Sequence, residues 1–242
     1  MEILQSILAF FTMLHWDVLA KVVGIDLILG LDNAIVIALA CAALAPELRN
    51  KAIVIGTAGA ILARILFLFI GFWLVGLPFV KLVAGAYLVY LAYSMVSNDD
   101  DDDGHGVAAK TTMWGAAITI VTADLLMSLD NVVALVGAAE GTGDHAFGYT
   151  VFGILLSIPI IIFASKGLMA LLDKFPVIAW LGSALIAWVG AEMLLKEPFL
   201  VEKLNIDHGA AVLLGAVIVG ATLALALAKK VKKLGKISQG KA

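Results

Sequence analysis

Two copies of one acidic motif lie 98 residues apart in this chain, each in the middle of a long apolar run. Each copy consists of an Asp, five mostly apolar residues and an Asp-Asn pair. A carboxylate near the centre of a bilayer costs about 2.5 to 3.5 kcal/mol on insertion scales, so a matched pair of such motifs indicates a function. The six polar side chains are those of Asp26, Asp32, Asn33, Asp124, Asp130 and Asn131.

These six side chains are four carboxylates and two amides, which offer oxygen but neither sulfur nor imidazole. Hard oxygen ligands suit Mg²⁺, Ca²⁺ and Mn²⁺, whereas zinc and copper sites usually recruit His or Cys. Four carboxylate charges and one divalent ion sum to −2. Because close carboxylates oppose one another's ionisation, we expect some of them to be protonated when no metal is bound. Metal binding would then release protons, which is the chemistry of a cation/proton antiporter.

The composition indicates the class of protein that positions these side chains. Of the 242 residues, 62% are hydrophobic and 14% are charged, and the mean hydropathy is +1.06. Soluble domains are about half apolar and about a quarter charged, so the chain is predicted to be an all-α membrane protein with several spanning helices. The expected partners are a divalent metal ion and the lipid bilayer, with no nucleic acid and no tightly bound cofactor. The sequence leaves a homo-oligomer open.

Seven apolar runs are long enough to cross about 30 Å of hydrocarbon as helices. Runs one to three match runs four to six, and Pro78 and Pro176 keep the same 98-residue offset as the acidic motifs. An odd number of spans per unit turns the second unit upside down, which is the inverted-repeat plan of secondary transporters with a substrate site near mid-membrane. The runs are residues 17–44, 51–75, 77–97, 112–139, 147–171, 175–197 and 209–229.

The expected organisation is one membrane domain over residues 1–242. The lysines after the seventh run predict a cytoplasmic C-terminus, and seven spans then place the N-terminus outside. We therefore expect a multi-pass protein of the cell membrane, plasma or inner. Its parts are repeat one at 17–97, an acidic cytoplasmic linker at 98–111, repeat two at 112–197, the terminal helix at 209–229 and a basic tail at 230–242.

Helix geometry alone does not bring all the motif residues to one face. At about 100° per residue, Asp26 and Asn33 lie on nearly the same face, while Asp32 lies about a quarter-turn away. A local unwinding at Gly30 in the first motif, and at Ser128 in the second, would turn all three polar side chains inward. Arg64 in the second run has two interpretations, since it either pairs with the acidic cluster or extends to the interface.

The sequences IDLILGLDNA and ADLLMSLDNV resemble the TerC family of integral membrane proteins, most closely its YjbE-like branch. The resemblance covers residues 17–229. It implies an exporter of divalent metal, with Mn²⁺ as the first expected cargo, and it assigns the six motif side chains to the transport site. Gly30 stands where the family often has Ser, whereas Ser128 keeps that residue, which implies that the first motif lacks one hydroxyl ligand.

Two other functions remain open. Two Asp residues on separate helices can share a proton and activate water, as in an intramembrane aspartyl protease. Four acids and two amides exceed what such a dyad requires, and none of the seven predicted spans contains the Gly-x-Gly-Asp pattern expected of these proteases. The chain is therefore expected not to be an enzyme. The other alternative is a non-transporting scaffold of a metal or tellurite resistance complex.

Overall fold

The computed structural model describes residues 15–75, 79–97, 112–204 and 207–239. Within these ranges it describes the backbone but not the side chain of Asp130. Three features of the sequence analysis lie outside the described residues, namely Pro78, the acidic linker at 98–111 and the end of the basic tail.

The described part of the chain is all-helical and contains no strand. Two prolines stand at helix starts, where a missing N–H leaves no hydrogen bond unmade: Pro46 and Pro198 are the first residues of their helices. One 3₁₀ segment, Glu140–His145, joins the fifth and sixth helices. The α-helices are α1 Trp16–Leu29, α2 Leu31–Ala42, α3 Pro46–Val75, α4 Val80–Ser97, α5 Met113–Ala139, α6 Ala146–Lys174, α7 Val177–Leu195, α8 Pro198–Leu204 and α9 His208–Gln239.

Five described helices are long and apolar enough to cross a membrane, namely α3, α4, α6, α7 and α9. Counting α1 and α2 together as one bent span makes six. The apolar stretch described in α5, Met113–Leu129, is shorter than a full span. The predicted count of seven spans and the predicted inverted repeats are therefore not confirmed. The broader prediction of a multi-pass helical membrane protein is confirmed.

Apolar side chains on the outside of the helices agree with a lipid environment. Leu62, Phe163 and Leu213 are exposed by 70%, 80% and 70%, and many other large apolar side chains of the described helices are exposed as well. A surface of this kind is unfavourable in water but suits contact with hydrocarbon.

Two stretches differ from the sequence prediction. Helix α9 continues through residues 230–239, which were predicted to form a basic tail. Lysine is a good helix former, so a charged segment can extend a helix beyond the apolar run. The short helix α8 follows α7 within a region for which no separate element was predicted.

The first acidic motif contains a helix break and the second does not. Gly30 separates α1 from α2, and the two helices are bent by 45° relative to each other. A Cβ atom at Gly30 would lie 2.6 Å from the carbonyl oxygen of Asp26, so only glycine fits this backbone without a shift. Helix α5 runs without interruption through Ser128. The predicted unwinding is confirmed at Gly30 and is wrong at Ser128, where a residue with a Cβ atom stays helical.

Helices from the two halves of the chain pack against each other in pairs. Helix α3 packs on α5, α1 and α2 pack on α6, and α4 packs on α7, while α9 covers α4 and α7. The α4–α7 crossing is especially close, since a Cβ atom at Gly85 would lie 2.5 Å from the carbonyl oxygen of Gly190. Small residues at such crossings let two backbones approach, which is the usual basis of helix association in lipid. The same packing sets the positions of the site residues on α1, α3 and α5.

Candidate functional site

Arg64 of α3 joins the first Asp of each acidic motif. Its Nη1 donates to Oδ1 of Asp26 at 2.8 Å. Its Nε donates to Oδ2 of Asp124 at 3.3 Å, and its Nη2 donates to Oδ1 of the same carboxylate. The second pair of bonds is the two-pronged arrangement that suits a planar guanidinium and a carboxylate. Of the two interpretations of Arg64, pairing with the acidic cluster is therefore confirmed.

These three side chains, which we call the Arg64 triad, are buried. The side chains of Arg64, Asp26 and Asp124 are exposed by only 5%, 2% and 10%. A buried ion pair is stable only if its geometry is good and its remaining polar atoms have partners. Ser157 of α6 donates its hydroxyl to Oδ2 of Asp26, so each of the four carboxylate oxygens accepts a hydrogen bond. With two carboxylates and one guanidinium, the ionised triad carries a charge of −1.

A small cavity of about 20 Å³, enough for one water molecule or a small ion, lies beside the triad. Its lining includes Arg64, Asp124, Ser157, Asn33 and Thr57. Asn33 and Thr57 are exposed by 3% and 5%, and neither side chain has a hydrogen-bond partner among the described residues. Leaving a buried polar group without a partner costs about 1–3 kcal/mol, so these two groups need an explanation beyond packing.

The other motif residues have different surroundings. Oδ1 of Asp32, which is partly buried, accepts a hydrogen bond at 2.8 Å from the backbone N–H of Asn33. Asn131 of α5 extends toward the end of α1, where its Nδ2 donates to the carbonyl of Leu29 at 3.5 Å. Among the described side chains no group of three or more His, Cys, Asp or Glu could hold a metal ion. The six-residue ligand set therefore stays a prediction. Of its six residues, Asp26 and Asp124 belong to the Arg64 triad and Asn33 lines the cavity beside it.

Sequence reasoning missed Thr57 and Ser157. A signal for Thr57 was present, because it lies seven residues before Arg64, and a spacing of seven places two residues on nearly the same face of a helix. The polar face of the second run could therefore have been recognised. Ser157 is one hydroxyl in an apolar run, and no spacing in the sequence links it to Asp26.

The Gly-x-Gly-Asp pattern does occur once, at residues 141–144. The structure has this tetrapeptide in the 3₁₀ segment between α5 and α6 rather than in a long helix. Gly143 has a φ of +57°, a conformation that favours glycine in a turn. The tetrapeptide thus has a local structural explanation as a connection between helices.

Fold and site together define a multi-pass α-helical membrane protein with a buried ionised triad where helices of its two halves meet. The family model for integral membrane proteins of the TerC family matches residues 11–234, and the chain belongs to this family.

Curated relatives share much of the chain. Membrane protein YjbE of Bacillus subtilis (strain 168) is 40% identical over 179 residues, which is 74% of this chain and 79% of that protein. Membrane protein YkoY of the same organism is 27% identical over 192 residues, 74% of this chain and 59% of that protein. Inner membrane protein YoaE of Escherichia coli (strain K12) is 24% identical over 197 residues, 74% of this chain but only 37% of that longer protein. No solved structure matches the chain.

Proposed function

We propose that this protein exports a divalent metal cation across the cell membrane in exchange for protons. Mn²⁺ is the proposed cargo, with Ca²⁺ and Mg²⁺ as the alternatives that the same oxygen ligands would accept. The proposed orientation has the N-terminus outside and the C-terminus in the cytoplasm, as the lysine distribution predicts.

One observation carries this proposal. Asn33 and Thr57 are buried at the cavity beside the Arg64 triad, and their polar atoms have no partner among the described residues. An amide and a hydroxyl offer uncharged oxygen ligands, and the adjacent carboxylates of Asp26 and Asp124 offer the charge that a hard cation requires. A purely structural core would gain stability from apolar side chains at both uncharged positions.

The packing of the helices adds support. In an inverted repeat, a contact between the first span of one half and the second span of the other half is repeated with the halves exchanged, and equivalent spans such as the third ones can pack on each other. The pairs α3 with α5, α1 and α2 with α6, and α4 with α7 follow this reciprocal pattern. Transporters of this plan bind their substrate at the repeat interface, often beside a broken helix such as the one at Gly30.

The proposed roles of the side chains follow from their chemistry. Asp26 and Asp124 supply negative charge at the interface, Asn33 supplies an amide oxygen, and Asp32, Asp130 and Asn131 complete the ligand set during transport. Carboxylates that are protonated without metal release their protons as the ion binds, which couples the ion to a proton gradient.

Flux of Mn²⁺ into proteoliposomes, with and without a pH gradient, tests the function directly. We expect the wild-type protein to accelerate Mn²⁺ entry. In the double variant Asp32→Asn/Asp130→Asn the flux should fall by about tenfold or more, because substitution of residues that merely support a metal's ligands already lowers affinity by about 10- to 100-fold. Thr57→Val, which keeps the side-chain shape but removes the hydroxyl, should also lower the flux.

The matched control is Thr222→Val. Thr222 is equally buried, but its hydroxyl donates to the carbonyl of Ile218 within α9 at 2.7 Å. This variant should keep wild-type flux. Absence of flux for Mn²⁺, Ca²⁺ and Mg²⁺ in the wild-type protein would contradict transport, and full flux in the Asp32→Asn/Asp130→Asn variant would contradict the proposed site. Flux that does not respond to a pH gradient would remove the proton exchange alone.

A further inference from the structure

The carboxylates at the proposed site already have a cation. Three of the four oxygens of Asp26 and Asp124 accept hydrogen bonds from Arg64, and the fourth accepts one from Ser157. A guanidinium stays protonated in proteins, so Arg64 supplies a permanent positive charge. An incoming metal ion therefore meets both the repulsion of that charge and occupied carboxylate oxygens.

The backbone that carries Arg64 cannot easily withdraw. Helix α3 is close-packed on α5 at two glycines on its N-terminal side, where a Cβ atom at Gly56 would lie 2.6 Å from Ile120 and one at Gly59 would lie 2.9 Å from Val121. Close packing of this kind resists displacement of the helix. Release of the carboxylates therefore requires the long arginine side chain to move, and the cavity at Asn33 and Thr57 lies directly beside it.

We propose that Arg64 is a tethered competitor of the transported ion, so that the guanidinium and the divalent cation alternate at Asp26 and Asp124. This inference rests on the proposed function. Without metal, Arg64 pairs with both buried carboxylates, offsets one of their two negative charges and keeps the interface closed. The metal ion first meets the uncharged oxygens of Asn33 and Thr57 and then displaces the guanidinium. Return of Arg64 to the carboxylates expels the ion, which prevents a site of four acids from holding its cargo too tightly for turnover.

The competing explanation is that Arg64 only holds α1, α3 and α5 together. The two roles predict opposite effects on metal binding. If Arg64 competes, its removal tightens binding and slows transport, because the ion enters readily but is no longer expelled. If Arg64 is only a structural clamp, its removal loosens the site and weakens binding along with transport.

The test measures Mn²⁺ affinity by titration calorimetry of the protein in nanodiscs, together with flux in proteoliposomes. For Arg64→Gln we expect Mn²⁺ to bind about tenfold or more tightly than to wild type, while flux falls about tenfold. Arg64→Lys keeps the charge but loses the two-pronged geometry, so its affinity should lie between the two. Lys196→Gln removes an exposed positive charge just after the end of α7 and should change neither quantity.

A charge-balanced pair keeps the test valid if Arg64→Gln does not fold. The double variant Arg64→Gln/Asp26→Asn removes one charge of each sign, and its proper reference is Asp26→Asn alone, which completes a mutant cycle. The double variant should bind Mn²⁺ more tightly than Asp26→Asn. If Arg64→Gln binds Mn²⁺ no more tightly than wild type, and the double variant no more tightly than Asp26→Asn, the competition is overturned, while transport by the wild-type protein is unaffected. If the wild-type protein itself neither binds nor moves any divalent ion, the proposed function fails, and the competition fails with it.

Discussion

The Arg64 triad makes a quantitative prediction about stability that is independent of transport. Asp124 accepts two of the three hydrogen bonds that Arg64 donates to carboxylates, whereas Asp26 accepts one. A hydrogen bond to a charged group contributes about 1.5–3 kcal/mol. Either substitution leaves Arg64 paired with the remaining carboxylate, so the loss is counted in hydrogen bonds to Arg64 rather than as an unpaired charge. We therefore expect Asp124→Asn, which affects two such bonds, to lower the free energy of unfolding by about 3–6 kcal/mol and Asp26→Asn, which affects one, by about 1.5–3 kcal/mol.

Thermal unfolding in detergent micelles, followed by tryptophan fluorescence in the presence of a chelator, measures this difference. For a chain of this size, about 1 kcal/mol shifts Tm by roughly 2–4 °C, so Asp124→Asn should lower Tm by roughly 6–24 °C. The matched control is Glu192→Gln, which breaks the exposed pair with Lys196 at 2.7 Å. Exposed pairs contribute about 1 kcal/mol or less, so the control should stay within about 4 °C of wild type.

Two results would refute this reasoning. If Asp124→Asn unfolds at the same temperature as Glu192→Gln, the triad does not stabilise the fold as its burial and geometry imply. If Asp26→Asn lowers Tm more than Asp124→Asn does, the ranking from the number of hydrogen bonds to Arg64 is wrong, and Asp26 stabilises the fold through more than its bond to Arg64.

Two further predictions concern helix packing and helix ends. Gly190→Ala adds a Cβ atom 2.8 Å from a backbone oxygen of α4 and should lower the free energy of unfolding by about 1–3 kcal/mol. Its control is Gly167→Ala, in open space on α6, which should be neutral or stabilising in the same thermal unfolding assay. Equal effects of the two substitutions would contradict the close crossing of α4 and α7. Arg49 donates to two carbonyl oxygens at and just after the end of α2, each at 2.9 Å, and to the exposed carboxylate of Asp173 at 2.7 Å. Arg49→Ala should therefore lower the free energy of unfolding by about 1–2 kcal/mol and Asp173→Asn by less than about 1 kcal/mol. A larger loss for Asp173→Asn in the same assay would contradict this explanation.

Helix positions were largely predictable because they depend on local composition. The predicted run at 112–139 corresponds to α5, Met113–Ala139, and the run at 51–75 ends where α3 ends, at Val75. Apolar runs bounded by polar residues define such helices without reference to the rest of the chain. The extension of α9 to Gln239 was missed because charged lysines were taken as the end of a span, although they support a helix equally well.

The helix break shows where local information ends. Gly30 and Ser128 hold equivalent places in the two motifs, and both were candidates for an unwound turn. The chain breaks only at Gly30, where no Cβ atom opposes the approach to the carbonyl of Asp26. Two similar motifs thus have different backbones, because the intrinsic cost of leaving the helix differs between glycine and serine and the surrounding helices act on that difference.

The amino-acid sequence by itself determined that this is a helical membrane protein of the TerC family with two acidic motifs inside apolar runs, because apolar composition and repeated motifs can be read directly along the chain. Only the tertiary structure decided that Arg64 pairs with Asp26 and Asp124 across 38 and 60 residues, and that Asn33 and Thr57 share a cavity beside them. The physical reason is that one guanidinium can either reach the lipid interface or neutralise buried carboxylates. The packing of α1, α3 and α5 determines which of the two positions the guanidinium takes, and the local sequence around Arg64 does not specify that packing.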